Sequence, residues 1–249
     1  MIRLITFATD DYDISAQRLK ATALRHGADE VMIYKPEHIE ILFNEAIVKP
    51  LLKESRGYGW WVWKPYFIFK AMWGMKDGDI LIYCDAGNDI VDDLSHIISK
   101  MDEYIFLFSN GWQHSHWCKA EVASAINWGF HSVPFDLKSC QYVSESDYYK
   151  HKQVQASSIF LRVSQKTRDF IQEWYAWSIM PGMIDNTPRG PQFPEFQEHR
   201  HDQAILTCLQ IKYGIPLHWF PSTTNHHQHI QGDNYPQIFA HHRKKNDQW

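Results

Sequence analysis

The chain has 249 residues, with 44% hydrophobic and 22% charged positions, 25 Lys and Arg against 29 Asp and Glu, and a formal net charge of -4. This composition excludes a wholly disordered protein, which lacks the apolar residues to offset backbone ordering. It also lacks the strongly basic balance of a general nucleic-acid binder. The length suits one globular domain spanning 1–249. No run approaches ~20 apolar residues, so no integral membrane segment is expected. The opening MIRLITFATDDYD turns acidic too soon for a secretory signal, which points to a cytoplasmic protein. Cys84, Cys118, Cys140 and Cys208 form no Cys-x-x-Cys pair and read as unbridged thiols. The 11 Trp and 15 His are unusual. Trp and Tyr make flat, apolar surfaces with a hydrogen-bonding edge, which match the C–H faces and hydroxyl rims of sugar rings.

In chain order, residues 2–9 read as a buried strand, 14–26 as a helix stopped by Gly27, and 31–34 as a second strand. Helices are expected from Pro36 to about Leu42 and from about Asn44 to Lys53. Gly57 and Gly59 mark a loop, and Pro65 suits the first position of a helix running to about Met75. A turn at Asp77-Gly78 leads into the strand 79–84. A helix over 90–101, a strand over 104–108 and a helix over 119–128 follow. The strand 157–163 precedes a helix over 165–178, a Pro- and Gly-rich stretch over 181–200, and a helix over 201–213 stopped by Gly214. The tail from Pro221 shows no regular element. Strands that alternate with helices in the first half predict an α/β fold with a mostly parallel sheet.

Ligands of such sheets sit beyond the carboxyl ends of the strands. Asp85 stands at such an end, followed by Ala86 and Gly87. A carboxylate there suits a divalent cation, and the small residues let a ligand approach the backbone; Asp-Ala-Gly also serves as a plain turn. Lys64, just before a helix start, offers a point charge for phosphates, reinforced by the helix N-terminus. Asp202 and Gln203 open the late helix, where an Asp also serves as a cap. The loop NGWQHSHWC supplies Trp112 and Trp117 for stacking on a sugar. Its His114-x-His116 spacing lacks further ligand-type residues nearby and is not read as a metal site.

Taken together, GYGWWVWKP, DGDILIYCDAG, HRHDQAIL, His241-His242-Arg243 and the opening IRLITFAT resemble bacterial and viral nucleotide-sugar glycosyltransferases of the GT-A fold. The resemblance spans most of the chain. It implies a GT-A-like, mostly parallel sheet flanked by helices. It further implies transfer of a sugar from a nucleotide-diphosphate donor to a glycan or other hydroxyl acceptor. Thr6, Ala8, Thr9, Lys64, Asp85, Ala86 and Gly87 would bind the donor, with Asp202 and Gln203 as catalytic residues. A divalent Mn or Mg would be held by Asp85 with His229 or His242, and would neutralise the departing diphosphate. The Asp-Gln pair resembles that of retaining enzymes. One departure is Gly87, which occupies the third position of the usual Asp-x-Asp; Asp89 is the nearest substitute. That departure keeps open a second class, an inactive homologue that binds sugar or nucleotide. A nucleotidyltransferase ranks last, because the acidic TDDYDI stands where a basic phosphate loop would be needed. No oligomeric state follows from the sequence.

Overall fold

A computed structural model describes residues 1–39, 45–128, 151–222 and 234–249. A six-stranded sheet runs in the order β2-β1-β3-β6-β5-β7. Its strands are β1 (Ile2–Phe7), β2 (Glu30–Tyr34), β3 (Ile80–Cys84), β5 (Ile105–Gln113), β6 (Lys152–Arg162) and β7 (Leu217–Trp219). β1 pairs in parallel with β2 and β3, and β5 with β7, while β6 runs antiparallel to both β3 and β5. A second, two-stranded sheet joins β4 (Asn88–Ile90) to β8 (Phe239–His241).

Period-two alternation divides the strands between two cores. Leu4, Ile80, Ile82, Phe106, Phe108 and Phe160 face one side, packed with Leu19 and Ala23 of α1 (Asp13–Arg25) and Ile97 of α5 (Ser95–Ile98). Ile5, Leu81, Tyr83, Leu107, Ile159 and Leu161 face the other. There they meet α4 (Trp63–Ala71), α6 (Ala120–Trp128), α7 (Gln165–Ile179) and α8 (His201–Lys212). The two remaining helices are short: α2 (Glu45–Leu51) and the single turn α3 (Gly57–Trp60). The connection from β1 to β2 uses α1 on one face, and the connection onward to β3 brings α4 onto the other. The chain therefore reverses its direction of winding at β1, and a crevice opens beyond the carboxyl ends of β1 and β3.

Several expected elements differ in extent. The helix expected over 90–101 is instead β4 followed by the four-residue α5, because Ile90 is drawn into pairing with Phe239 from the distant tail. The strand expected over 157–163 begins at Lys152 and pairs along β5 with two register shifts. The 36–42 helix is a 3-10 turn over Pro36–His38, and 40–44 lie outside the described residues. α4 starts two residues before Pro65, which still costs nothing, since first-turn N–H groups have no intrahelical acceptor. The 181–200 stretch has no regular element, yet it is tied down. Lys119 Nζ donates to Gly182 O at 2.6 Å and to Asp185 Oδ1 at 3.0 Å, and Gln192 Oε1 accepts from Ala120 N at 2.9 Å. Among the described residues, no helix is long and apolar enough to cross a membrane.

Candidate active site

A cleft of about 840 Å³ lies beyond the ends of β1 and β3. Because β6 runs antiparallel, it delivers Gln153, Gln155 and Ser157 from its amino-terminal half to the same rim. The start of α8 closes the floor with Arg200, His201, Asp202 and Gln203.

At the centre is a buried charge cluster. Lys64, only 3% exposed, places Nζ 2.8 Å from Asp202 Oδ2 and 3.6 Å from Asp85 Oδ1, and donates to Ala156 O at 3.2 Å. Burial pulls the Lys64 pKa down, but the attraction of Asp202 and Asp85 outweighs it, and the net shift is upward. Asp202 is 4% exposed; burial pushes its pKa to about 6, against the stabilising pull of Lys64. Its carboxylate reaches across to α4, while the N-cap position of α8 is Arg200. The Asp202 carbonyl is pinned by the buried Trp174, whose Nε1 donates at 3.1 Å. Tyr83 Oη donates to Asp85 Oδ1 at 2.5 Å, and burial, followed by the Asp85 charge, raises the phenol well above its usual range. Gln203 Nε2 donates to Gln153 Oε1 at 2.6 Å, and Gln203 Oε1 accepts from Ala156 N at 3.5 Å.

His201 is the one floor residue at positive φ, +48°. Its Nδ1 lies 2.8 Å from Ile184 O, a contact that requires the proton on Nδ1 and leaves Nε2 an acceptor. Nε2 is buried without a partner among the described residues, although His201 lines the cleft. Burial lowers its pKa to about 3, so the ring stays neutral. Trp60 and Trp61 pack against it with ring centroids at 6.0 and 5.6 Å. Both tryptophans sit at positive φ, as do Gly57, Tyr58 and Gly59, so the GYGWW segment is wound left-handed. A Cβ on Gly57 would stand 2.3 Å from the Trp61 ring, so only glycine fits.

The far wall comes from the tail. β8 pairs with β4, and Gly87 O accepts from His242 N at 2.9 Å and Arg243 N at 3.2 Å. The missing side chain of Gly87 serves this crossing, since a Cβ there would lie 3.0 Å from Arg243 Cα. Arg243 lines the cleft, donates from Nε to His241 Nε2 at 2.9 Å, and pairs with no carboxylate among the described residues. Arg56 and Arg200 also line the cleft but share Glu198 at 2.8 and 3.0 Å.

Of the residues picked out in the sequence, Ala8, Thr9, Lys64, Asp85, Ala86, Gly87, Asp202 and Gln203 converge on this cleft. Thr6 does not line it; it is buried in β1 beneath Phe7 and Ala8. His229 lies outside the described residues. His242 faces away, with Nε2 3.8 Å from Asp89 Oδ1 and its ring against Trp249. Strand alternation in β8 turns His241 into the cleft instead. Burial, then the Arg243 charge, lowers the His241 pKa, and the Asp85 carboxylate pulls it the other way. Asp89 is held by Arg18 at 2.7 Å and does not line the cleft. Sequence reasoning passed over Tyr83, two residues before Asp85 in β3, and Gln153, two residues before Gln155 in β6, where strand alternation was the available signal.

No protein-family model matches the chain, and no curated protein matches it in sequence. Solved structures do match. One is a glycosyltransferase involved in the glycosylation of the major capsid of PBCV-1, at 11% identity and a TM-score of 0.51, covering 96% of this chain and 92% of that one. The chain has a glycosyltransferase fold. A weaker likeness, with a TM-score of 0.47 and 8% identity, extends over 100% of this chain and 99% of mouse xyloside xylosyltransferase 1 in its apo form. At these identities the likeness is one of fold, and function must be argued from the cleft.

Proposed function

We propose that this chain is a nucleotide-sugar glycosyltransferase of the GT-A type, moving a sugar from a nucleotide diphosphate to a glycan or other hydroxyl acceptor. The observation that carries the reading is the pairing, within one cleft, of a buried Lys64–Asp202–Asp85 cluster with Arg243, a cation that no described carboxylate neutralises. An exposed guanidinium facing a crevice at the ends of parallel strands suits a diphosphate, which it can grip through two oxygens. The base and ribose would lie against Ala8 and Thr9 at the end of β1. The aromatic wall of Trp61, Trp112 and Trp117 offers stacking faces for sugar rings.

Asp85 and His241 are the residues that would hold a divalent Mn or Mg. Both line the cleft, and ligation through His241 Nε2 would displace the Arg243 Nε that donates to it, whereas Asp89 is engaged by Arg18. One carboxylate and one imidazole suit a cation whose other ligands come from substrate phosphates. When bound, that cation supplies charge neutralisation to the departing diphosphate. Lys64, fixed at the same carboxylate, adds positive charge beneath it without needing to reorganise.

The retaining course fits the floor better than the inverting one. An inverting enzyme needs a carboxylate ready to take the proton of the acceptor hydroxyl. Here Asp202 is committed to Lys64, Asp85 to Tyr83 and Lys64, and Asp11 to Lys245. Gln203, held by Gln153 and Ala156, presents a fixed amide dipole that can stabilise positive charge at the anomeric carbon.

The test is a panel of nucleotide diphosphates and nucleotide sugars, with and without Mn or Mg, read by thermal shift and by product formation. A ligand that binds only the native state raises the melting temperature by mass action. The enzyme reading expects one nucleotide series to raise it, sugar to be released or transferred, and the product to keep the anomeric configuration of the donor. The lack of a second acidic residue at Gly87 favours one other reading, an inactive homologue that binds sugar. Glycan binding with no nucleotide response and no turnover would establish that reading instead.

A further inference from the structure

Away from the charge cluster, behind the aromatic wall, the fold brings Cys208 from a remote helix to His114 and Cys118, which share one loop. His114 follows β5, Cys118 precedes α6, and Cys208 lies in the middle of α8; all three are 0% exposed. His114 Nε2 is 3.4 Å from Cys208 Sγ, and the two sulfurs are 3.7 Å apart. The three ligand atoms all lie within 4.8 Å of one another.

We propose that His114, Cys118 and Cys208 form a structural zinc site. In tetrahedral zinc, with Zn–S near 2.3 Å and Zn–N near 2.05 Å, ligand edges are roughly 3.8 Å for two sulfurs and roughly 3.5 Å for sulfur and nitrogen. The observed 3.7 and 3.4 Å match the sulfur–sulfur edge and one of the two sulfur–nitrogen edges, and the remaining edge, His114 to Cys118, lies within 4.8 Å. A borderline-soft ligand set of two thiolates and an imidazole favours zinc over the oxygen-seeking cations expected in the cleft. Full burial suits a closed, structural centre and not a catalytic one with an open position. The fourth vertex would fall to His199, 0% exposed and beside Cys118, only if it gave up a present contact, since its Nδ1 accepts from Lys119 N at 3.2 Å and its Nε2 lies 2.8 Å from Met183 O. Loading converts two thiols to thiolates and releases their two protons to solvent, with no change of oxidation state.

Such a centre would join three elements that carry the cleft. Trp117, between His114 and Cys118, lines the aromatic wall, and its carbonyl accepts from Arg200 N at 3.0 Å and from Gln153 Nε2 at 3.4 Å. Cys208 belongs to the helix whose first turn carries Asp202 and Gln203. Zinc would thus hold the wall and the floor in fixed relation. The sequence reading missed this centre because it passed over Cys118, in the same loop as His114, and because Cys208 comes from a remote helix.

The experiment is elemental analysis of the full chain, expressed with zinc in the medium and purified under reducing conditions. The expected result is zinc at unit stoichiometry, retained in Asp85→Ala and in Cys84→Ser, and lost in Cys208→Ser. Loss with Cys208→Ser but not with Asp85→Ala separates this centre from any cation in the cleft. Should Cys208→Ser fail to fold, the wild type still decides: stripping zinc with a strong chelator should lower the melting temperature, and cobalt(II) should restore it with a thiolate-to-cobalt charge-transfer band. Wild-type protein that carries no zinc, that binds copper instead, or that holds a Cys118–Cys208 disulfide would overturn the proposal.

Discussion

Lys64 and Asp202 come from distant parts of the chain and meet 2.8 Å apart in a space that water barely reaches, with side-chain exposures of 3% and 5%. Neither element would pack as it does without the other. The α4 ammonium would keep only the longer contact to Asp85 and the Ala156 carbonyl, and α8 would start with a buried carboxylate that has lost its cation. Removing one partner of a buried pair typically costs about 3–5 kcal/mol. Lys64→Met should fall at or below the lower end, because Asp202 already has a pKa near 6 and can take up a proton instead. The expected outcome is a clear drop in melting temperature and loss of turnover. In urea melts, Lys64→Met with Asp202→Asn should cost less than the sum of the single substitutions, as coupled neighbours do. Strict additivity would show that the pair is not an energetic unit.

His201 makes the fold acid-sensitive. Its pKa falls from 6.5 to about 3 in the folded chain, chiefly through burial. Between those values the unfolded chain binds a proton that the folded chain refuses. Stability is therefore complete above pH 6.5 and lost as pH falls towards 3, with a limiting slope of about 1.4 kcal/mol per pH unit. His201→Asn, which tolerates the positive φ, should flatten that limb of the stability curve between pH 6.5 and 4. An unchanged slope in urea melts across that range would rule out His201 as its source.

How much of this was legible in the residues depends on distance along the chain. β1, α1 and β3 follow from local periodicity, and Asp85 and Lys64 from their positions at element ends. β4 and β8 were hidden because three-residue strands carry almost no pattern and are stabilised by each other across the chain. The same pairing decides that His241, and not His242, faces the cleft: a one-residue difference in register exchanges the two faces of a strand. The left-handed GYGWW turn was legible as a loop, but its close packing on Trp61 was not.

Gly57 tests that packing. An alanine there meets the Trp61 ring and also takes on a φ of +60°. Backbone strain of this kind costs about 1–3 kcal/mol, and the ring must move as well. Gly57→Ala should lower the melting temperature and weaken binding of the sugar ligand that stabilises the wild type, since Trp61 lines the cleft and packs on His201. Calorimetric affinity equal to that of the wild type would separate Trp61 from sugar recognition.

Arg243 separates the diphosphate from the rest of the donor. Its guanidinium faces the cleft with only His241 as a side-chain hydrogen-bond acceptor among the described residues, so Arg243→Gln should leave the ligand-free stability within ~0.5 kcal/mol of the wild type. A hydrogen bond to a charged group contributes about 1.5–3 kcal/mol, which is roughly a ten- to hundredfold change in affinity. The thermal shift given by the nucleotide diphosphate should therefore shrink sharply, and KM for the nucleotide sugar should rise by that factor. A shift with the diphosphate-free nucleoside, if present, should persist, because the base and ribose would rest against Ala8 and Thr9 instead. Equal losses for nucleoside and nucleoside diphosphate would mean that Arg243 supports the cleft as a whole, through its crossing at Gly87, and does not read the phosphates.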